Sequence, residues 1–260
     1  MMADKEGRWL YAVARDVAVG SRTLTGVAGE PVRVLESSGL AAVVSDVDLA
    51  EFGAEPLKSN LEDLDWLADT ARAHDAVVTA VVRAAPAAVP LRLATVYLGD
   101  DRVRELLTRR AADFGVALDQ LTGRTEWGVK GYADPDALAE VAEQAASEGS
   151  GAGTAYLLRR KAQLSARERA EQTAAARADR LHGEIAGLAT AARRHPPQDP
   201  KLSGQRDWMV LNGAYLVDDV LADELAAIVE RLGSELPGVR LELTGPWPPY
   251  SFAGVEQERE

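Results

Sequence analysis

Apolar positions along this chain change their period from segment to segment, and the changes mark its elements. Trp9–Ala14 is an unbroken apolar run, the pattern of a buried strand. Val17–Glu30 holds three glycines and reads as a loop. Val32–Leu35 and Leu40–Ser45 are short apolar runs separated by Ser37-Ser38-Gly39, which predicts a hairpin. Ser59 and Glu62 have capping-box spacing, so a helix is expected to start there. Leu64, Leu67, Ala71, His74, Val78 and Val81 then step by three and four along one helical face, and Pro86 stops it. Val89–Leu98 reads as a strand with Pro90 near its start. Asp100 or Asp101 is expected to cap a helix reaching about Leu118.

The second half opens with Arg124–Tyr132 as a strand. Asp134-Pro135 has the order of a cap followed by a first helical residue, predicting a helix to about Ser147. Gly149–Gly153 breaks the chain. Thr154–Arg194 then contains no proline and is rich in Ala, Arg, Glu and Leu. Continuous helix over that span would be ~60 Å long at ~1.5 Å per residue. Ala170, Ala174, Ala178, Leu181, Ile185 and Leu188 form a narrow seam with coiled-coil-like steps. Such a seam requires another helix, from this chain or another, to cover it. Trp208–Val217 reads as a strand. Asp218 is expected to cap a helix with the face Leu221, Leu225, Ile228 and Leu232. After Pro237-Gly238, the alternation of Val239, Leu241 and Leu243 with Arg240 and Glu242 gives a strand with one wet face. The charged end Glu256–Glu260 is expected to fray.

These elements predict an α+β chain of two domains, residues 1–121 and 122–260, the second carrying a helical arm over about 154–194. Composition narrows what such a chain can do. Its 260 residues are 47% hydrophobic and 27% charged, and it has no cysteine. Disulfides, thiolate metal sites and cysteine nucleophiles are thereby excluded. The formal net charge of -12 argues against binding duplex nucleic acid. Charge is nevertheless segregated, because the arm carries nine basic and four acidic side chains. Met1–Arg8 is polar and charged with no apolar stretch of signal-peptide type after it, and no run approaches the ~20 apolar residues that span a bilayer. A cytoplasmic protein without a lipid-membrane segment is expected.

Candidate chemistry is sparse. There are three histidines. His74 lies on an apolar helix face beside Asp75, but neighbours i and i+1 on a helix diverge, so Asp75 is poorly placed to orient it as a general base. It reads as a core-edge histidine hydrogen-bonded to backbone. His182 and His195 have no ligand-spaced partners. Asp46-Val-Asp48 puts two carboxylates on one side of an extended segment, without the further ligands that a cation needs. Gly26–Gly29 and Gly149–Gly153 match neither a phosphate loop nor a dinucleotide fingerprint. No catalytic, cofactor or metal residues are assigned.

The most distinctive stretch is Thr244-Gly-Pro-Trp-Pro-Pro-Tyr-Ser-Phe252. Its prolines stiffen the backbone, and Trp247, Tyr250 and Phe252 supply large apolar area. The run reads as an aromatic plug sealing the second domain, with a partner-binding strip as the functional alternative. This stretch resembles the C-terminal signature of the gas vesicle protein F/L family. Further matches follow the family's order: Trp9–Ala14, then His74 with Val89-Pro-Leu-Arg-Leu-Ala-Thr-Val-Tyr97, then Glu126-Trp-Gly-Val-Lys130, Ala155-Tyr-Leu-Leu-Arg159 and Asn212-Gly-Ala-Tyr-Leu-Val217. Arg92-Leu-Ala-Thr95 departs mildly from the family's Arg-Phe-Gly-Thr.

The resemblance implies a ferredoxin-like N-terminal domain and a modified ferredoxin-like C-terminal domain with helical additions. It implies an accessory protein of gas vesicle assembly that contacts the shell protein and other accessory proteins, acting as a nucleator or chaperone, with no catalytic residues or cofactors. It does not separate the F from the L paralogue. The partner-contact residues expected on this reading are Trp247, Tyr250, Phe252, Leu181, Ile185 and Leu188. Two other classes stand beside it: an enzyme centred on His74, and a small-ligand regulatory module of ferredoxin-like fold.

Overall fold

The computed structural model describes residues 6–17, 24–134, 137–138, 155–197 and 208–254, with only the backbone described for 155–168. The helix expected from Asp134 is described only at its start, where Ala137 N–H donates to the Asp134 carboxylate at 3.3 Å and Leu138 is buried; its continuation to Ser147, the glycine break at 149–153 and the charged end 256–260 lie outside the described residues. The chain is mixed α and β with two antiparallel sheets, and it divides into two compact units. One comprises Met1–Thr125 with Trp247–Glu260, the other Glu126–Pro246.

The first unit is built on β1 (Glu6–Ala14), β2 (Arg33–Ser37), β3 (Leu40–Asp48) and β4 (Ala88–Pro90), in the spatial order β2-β3-β1-β4, with β5 (Val96–Tyr97) also on β1. The expected hairpin joins β2 to β3, and its turn residues Ser38 and Gly39 both have positive φ, the geometry that suits strand twist. Trp9–Ala14 is buried on both faces, which explains its unbroken apolar run. A bulge between Leu10 and Ala12 makes Tyr11 the extra residue on β1. The bulge inverts the alternation, so Trp9, Tyr11, Ala12 and Ala14 all join one apolar cluster.

Short helices α1 (Leu49–Phe52) and α2 (Ala54–Asn60) lead into α3 (Leu64–Ala84). The start of α3 lies later than the Ser59/Glu62 spacing suggested. Ser59 is inside α2, and the Asp63 carboxylate caps α3 by accepting from the backbone N–H groups of Asp65 and Trp66 at 3.0 and 3.2 Å. Consequently Leu64 sits outside the buried face, 77% exposed, and the face instead runs through Thr70, His74, Val77, Val78 and Val81. The strand expected over Val89–Leu98 is interrupted between β4 and β5, where Ala94 has a φ of 67°.

Helices α4 (Asp100–Arg109) and α5 (Ala111–Leu121) replace the single helix expected there, with a break at Arg110. They pack on the sheet through Val103, Leu106, Leu107, Phe114 and Leu118, outside the cluster that α3 covers. Asp100 does not cap α4. It sits in the first turn and takes ion pairs from Arg8 and Arg33, both at 2.6 Å, while Arg33 also holds Asp46 at 2.9 Å. The Arg33 guanidinium, assisted by Arg8, lowers the Asp100 carboxyl to about 2.

The second unit runs β6 (Arg124–Ala133), α6 (Ala155–Leu188), β7 (Ala191–Arg194), β8 (Trp208–Asp218), α7 (Ala222–Glu235) and β9 (Val239–Trp247). Its spatial order is β7-β8-β6-β9. Each sheet therefore places its strands second, third, first, fourth. Where the second unit crosses from first to second strand through the 34-residue α6, the first unit uses the 15–32 connection, with no helix among its described residues.

That connection is pinned from below. The Tyr11 hydroxyl accepts from Val27 N–H at 2.9 Å and meets Ser45 Oγ at 2.8 Å. A Cβ on Gly26 would lie 2.6 Å from Ser45 Cβ and closer still to Ser45 Oγ and Tyr11 Oη. Gly26→Ala is therefore expected to destabilise the protein by about 1–3 kcal/mol, because the overpacked atoms belong to a buried strand. A urea denaturation midpoint unchanged from wild type would contradict this.

Candidate functional site

The candidate residues converge on one place, the end of the first unit's core where α3 meets β1 and the C-terminal proline-aromatic run. His74 is 3% exposed. Its Nδ1 accepts from the Trp9 indole N–H at 2.9 Å. An indole nitrogen can only donate, so Nδ1 carries no proton, and the neutral ring donates from Nε2 to the Leu91 carbonyl at 3.1 Å. Tyr11 stacks on the ring at 5.3 Å between centroids, and Trp9 stands edge-on at 6.0 Å. Phe52 continues the cluster against Trp9 at 5.7 Å, and Trp66 against Phe52 at 5.6 Å.

Burial, only partly opposed by the Leu91 hydrogen bond, lowers the His74 pKa to about 4. Both ring nitrogens are committed to protein partners. The general-base reading therefore has no free lone pair to rest on, and Asp75 takes no part in holding the ring. The expected backbone bond is present, and the Trp9 partner is an addition that the sequence reading missed.

The proline-aromatic run lies against this cluster. Pro248, Pro249 and Phe252 are buried, while Trp247 is 48% and Tyr250 38% exposed. Two local hydrogen bonds fix the short 3₁₀ turn: Tyr250 N–H to the Pro248 carbonyl at 2.8 Å, and Phe252 N–H to the Pro249 carbonyl at 3.1 Å. The Tyr250 ring reaches 6.5 Å from His74. Its phenol is pushed up by burial and then by the Asp75 carboxylate. The run was expected to seal the second domain; from Trp247 onward it instead belongs to the first unit. Three residues anchor it and two aromatic rings keep open surface.

The other expected contact residues are placed differently. Leu181 and Ile185 have no exposed surface, and Ala170, Ala174 and Ala178 are buried with them. They form the second unit's core with Leu211, Tyr215, Val217, Leu225, Val229 and Leu232. Leu188 is only partly buried at its margin. The seam is thus covered by β8 and α7 of the same chain, and a partner role for Leu181 and Ile185 is corrected to a core role. Arg177, Arg180 and Arg194 of the basic arm likewise turn to their own unit. Arg177 donates to the Pro237 carbonyl, Arg180 and Arg231 bridge Glu184 and Glu235, and Arg194 pairs with Asp179 at 2.6 Å. Each such surface pair contributes little stability alone.

Asp46 and Asp48 are also occupied, the first by arginines and the second by capping α1 through Ala50 N–H at 2.8 Å. Among the described residues no group of three or more His, Asp or Glu could hold a metal ion. No helix among them is long and apolar enough to cross a membrane.

Comparison with known proteins agrees with this plan. The family model described as gas vesicle synthesis protein GvpL/GvpF matches residues 7–254. Gas vesicle protein L of Streptomyces sp. (strain CB03234) is 45% identical over 253 residues, covering 96% of this chain and 94% of that protein. Gas vesicle protein F of the same strain is 29% identical over 255 residues, covering 94% and 98%. In fold, the chain is similar to the crystal structure of the gas vesicle protein GvpF from Anabaena sp. PCC7120, with a TM-score of 0.71 and 19% identity over 98% of this chain and 99% of that one.

Proposed function

Because this chain belongs to the gas vesicle GvpL/GvpF family, we propose that it serves gas vesicle assembly as an accessory protein that binds the vesicle shell protein and other accessory proteins, in a nucleating or chaperone-like role. The observation that carries the binding site is the outward presentation of Trp247 and Tyr250 on a segment anchored by the buried Pro248, Pro249 and Phe252. Half-exposed aromatic rings on a stiff backbone suit a contact surface, since they bury large area at little entropic cost. Phe252 acts from below as an anchor of that surface.

The greater identity to protein L than to protein F of one Streptomyces strain supports an L-type assignment. The order β6-α6-β7-β8-α7-β9 of the second unit's named elements, βαββαβ, supports a ferredoxin-like fold, and the first unit follows the same plan with no helix among the described residues between β1 and β2.

The test is a pull-down between the full chain and purified shell protein. Trp247→Ala with Tyr250→Ala is expected to weaken capture by about tenfold or more, the effect of removing two central aromatic contacts. Capture equal to wild type would remove these rings from the interface. A wild-type chain that binds neither shell protein nor any other vesicle component would overturn the assembly reading itself.

A further inference from the structure

Among the described residues, β9 is the last strand of the second unit's sheet. It presents two unlike faces. Val239, Leu241 and Leu243 face α7, which covers them incompletely: with Ala226, Val229 and Gly233 they line an open groove of about 480 Å³ that Glu230 and Arg240 also border. On the other face Arg240 and Glu242 form an ion pair, and the Arg240 guanidinium lies 4.5 Å from the centre of the Tyr132 ring. Edge strands are usually protected from pairing by net charge, by proline or by cover. Residues 238–244 have no proline and, with one arginine and one glutamate, no net charge; Pro237 and Pro246 flank them.

The spacing of those charges selects a partner. Facing residues of an antiparallel pair project to the same side of the sheet, so a two-fold axis between identical strands passes through a residue. An axis through Leu241 sets Arg240 opposite Glu242 of the second copy and Glu242 opposite its Arg240. It sets Val239 opposite Leu243, and Leu241 opposite itself. An axis through Arg240 or through Glu242 sets like charges opposite each other, which is destabilising. The strand is self-complementary in charge at one register only, and in that register its apolar residues form a continuous row alongside both grooves.

We propose that two copies of this chain associate through antiparallel pairing of β9 with β9 about a two-fold axis at Leu241. The partner is a second copy because Arg240 and Glu242, two residues apart, supply both halves of the charge match. The residues that face one another across this axis, Val239–Leu243, do not include Trp247 or Tyr250.

Sedimentation equilibrium of the full chain tests it. Wild type is expected to show a monomer–dimer equilibrium. Arg240→Glu alone and Glu242→Arg alone each create two like-charge pairs across the axis and are expected to raise the dimer Kd by about tenfold. An equimolar mixture of the two variants is expected to restore dimer, because every facing pair is then of opposite sign. A single chain carrying both substitutions is expected to dimerise as wild type does, which separates a lost interface from a damaged fold. A wild-type chain that is monomeric at every concentration overturns the proposal, as does a dimer indifferent to both substitutions or a mixture that does not restore it.

Discussion

Leu181→Ala is expected to destabilise the chain by about 2–5 kcal/mol, the range for removing a fully buried leucine and leaving a cavity that its surroundings only partly refill. Leu181 has no exposed surface and sits where α6 crosses β8 and α7. Its neighbours belong to a sheet and to two helices, so little of the void can close by rotamer changes. Leu188→Ala, at the partly exposed margin of the same cluster, is expected to cost less. Urea denaturation of both variants measures the difference. A contact seam for another protein would behave in the opposite way: Leu181→Ala would keep wild-type stability and lose binding. Full stability in that variant would therefore restore the partner reading of α6.

Acidification is expected to remove about 3 kcal/mol of stability between roughly pH 6.5 and pH 4, through His74. In the unfolded chain the imidazole takes up its proton near its ordinary pKa of about 6.5. In the fold it does so only near about 4, because burial disfavours the cation. Between those values the unfolded state binds a proton that the folded state does not, so stability present above pH 6.5 falls as the pH falls and levels off below 4. Protonation at Nδ1 would also oppose the Trp9 indole N–H, which points a donor at the same atom. Asp100 acts in the same direction but in a lower window, its pKa being held at about 2 in the fold. His74→Phe is expected to flatten the slope between pH 6.5 and 4 while leaving the steeper acid loss below it. Urea midpoints across this range check it, and equal slopes in wild type and variant would contradict the assignment.

The proline-aromatic run illustrates how far local pattern reaches. Its stiffness and aromatic content follow from Pro246, Pro248, Pro249, Trp247, Tyr250 and Phe252 alone. Which unit it belongs to does not, because that depends on His74, far away in the chain. The same limit explains β7. Ala191–Arg194 is composed of residues that favour helix, and it reads as the end of the arm. It becomes a strand because residues 213–216 of β8 offer it a ladder, from Ala191 opposite Leu216 to Arg194 opposite Gly213. The cap of α3 erred for a related reason: Ser59 and Asp63 are both competent caps, and the intervening helix α2 decides between them.

By itself the sequence determined what depends on neighbours a few residues apart: the buried strand at Trp9–Ala14, the Ser38-Gly39 turn, the long proline-free helix and its narrow apolar seam. It also determined the absence of thiol chemistry, and in the ordered motifs from Trp9 to Phe252 it displayed the family. Tertiary structure alone decided what covers each face. It placed Leu181 and Ile185 inside a core and saturated both nitrogens of His74. It also left Trp247 and Tyr250 with surface while burying Phe252 beside them. The physical reason is that periodicity records which side of an element is apolar, whereas the group that meets that side comes from a distant part of the chain and is selected by packing.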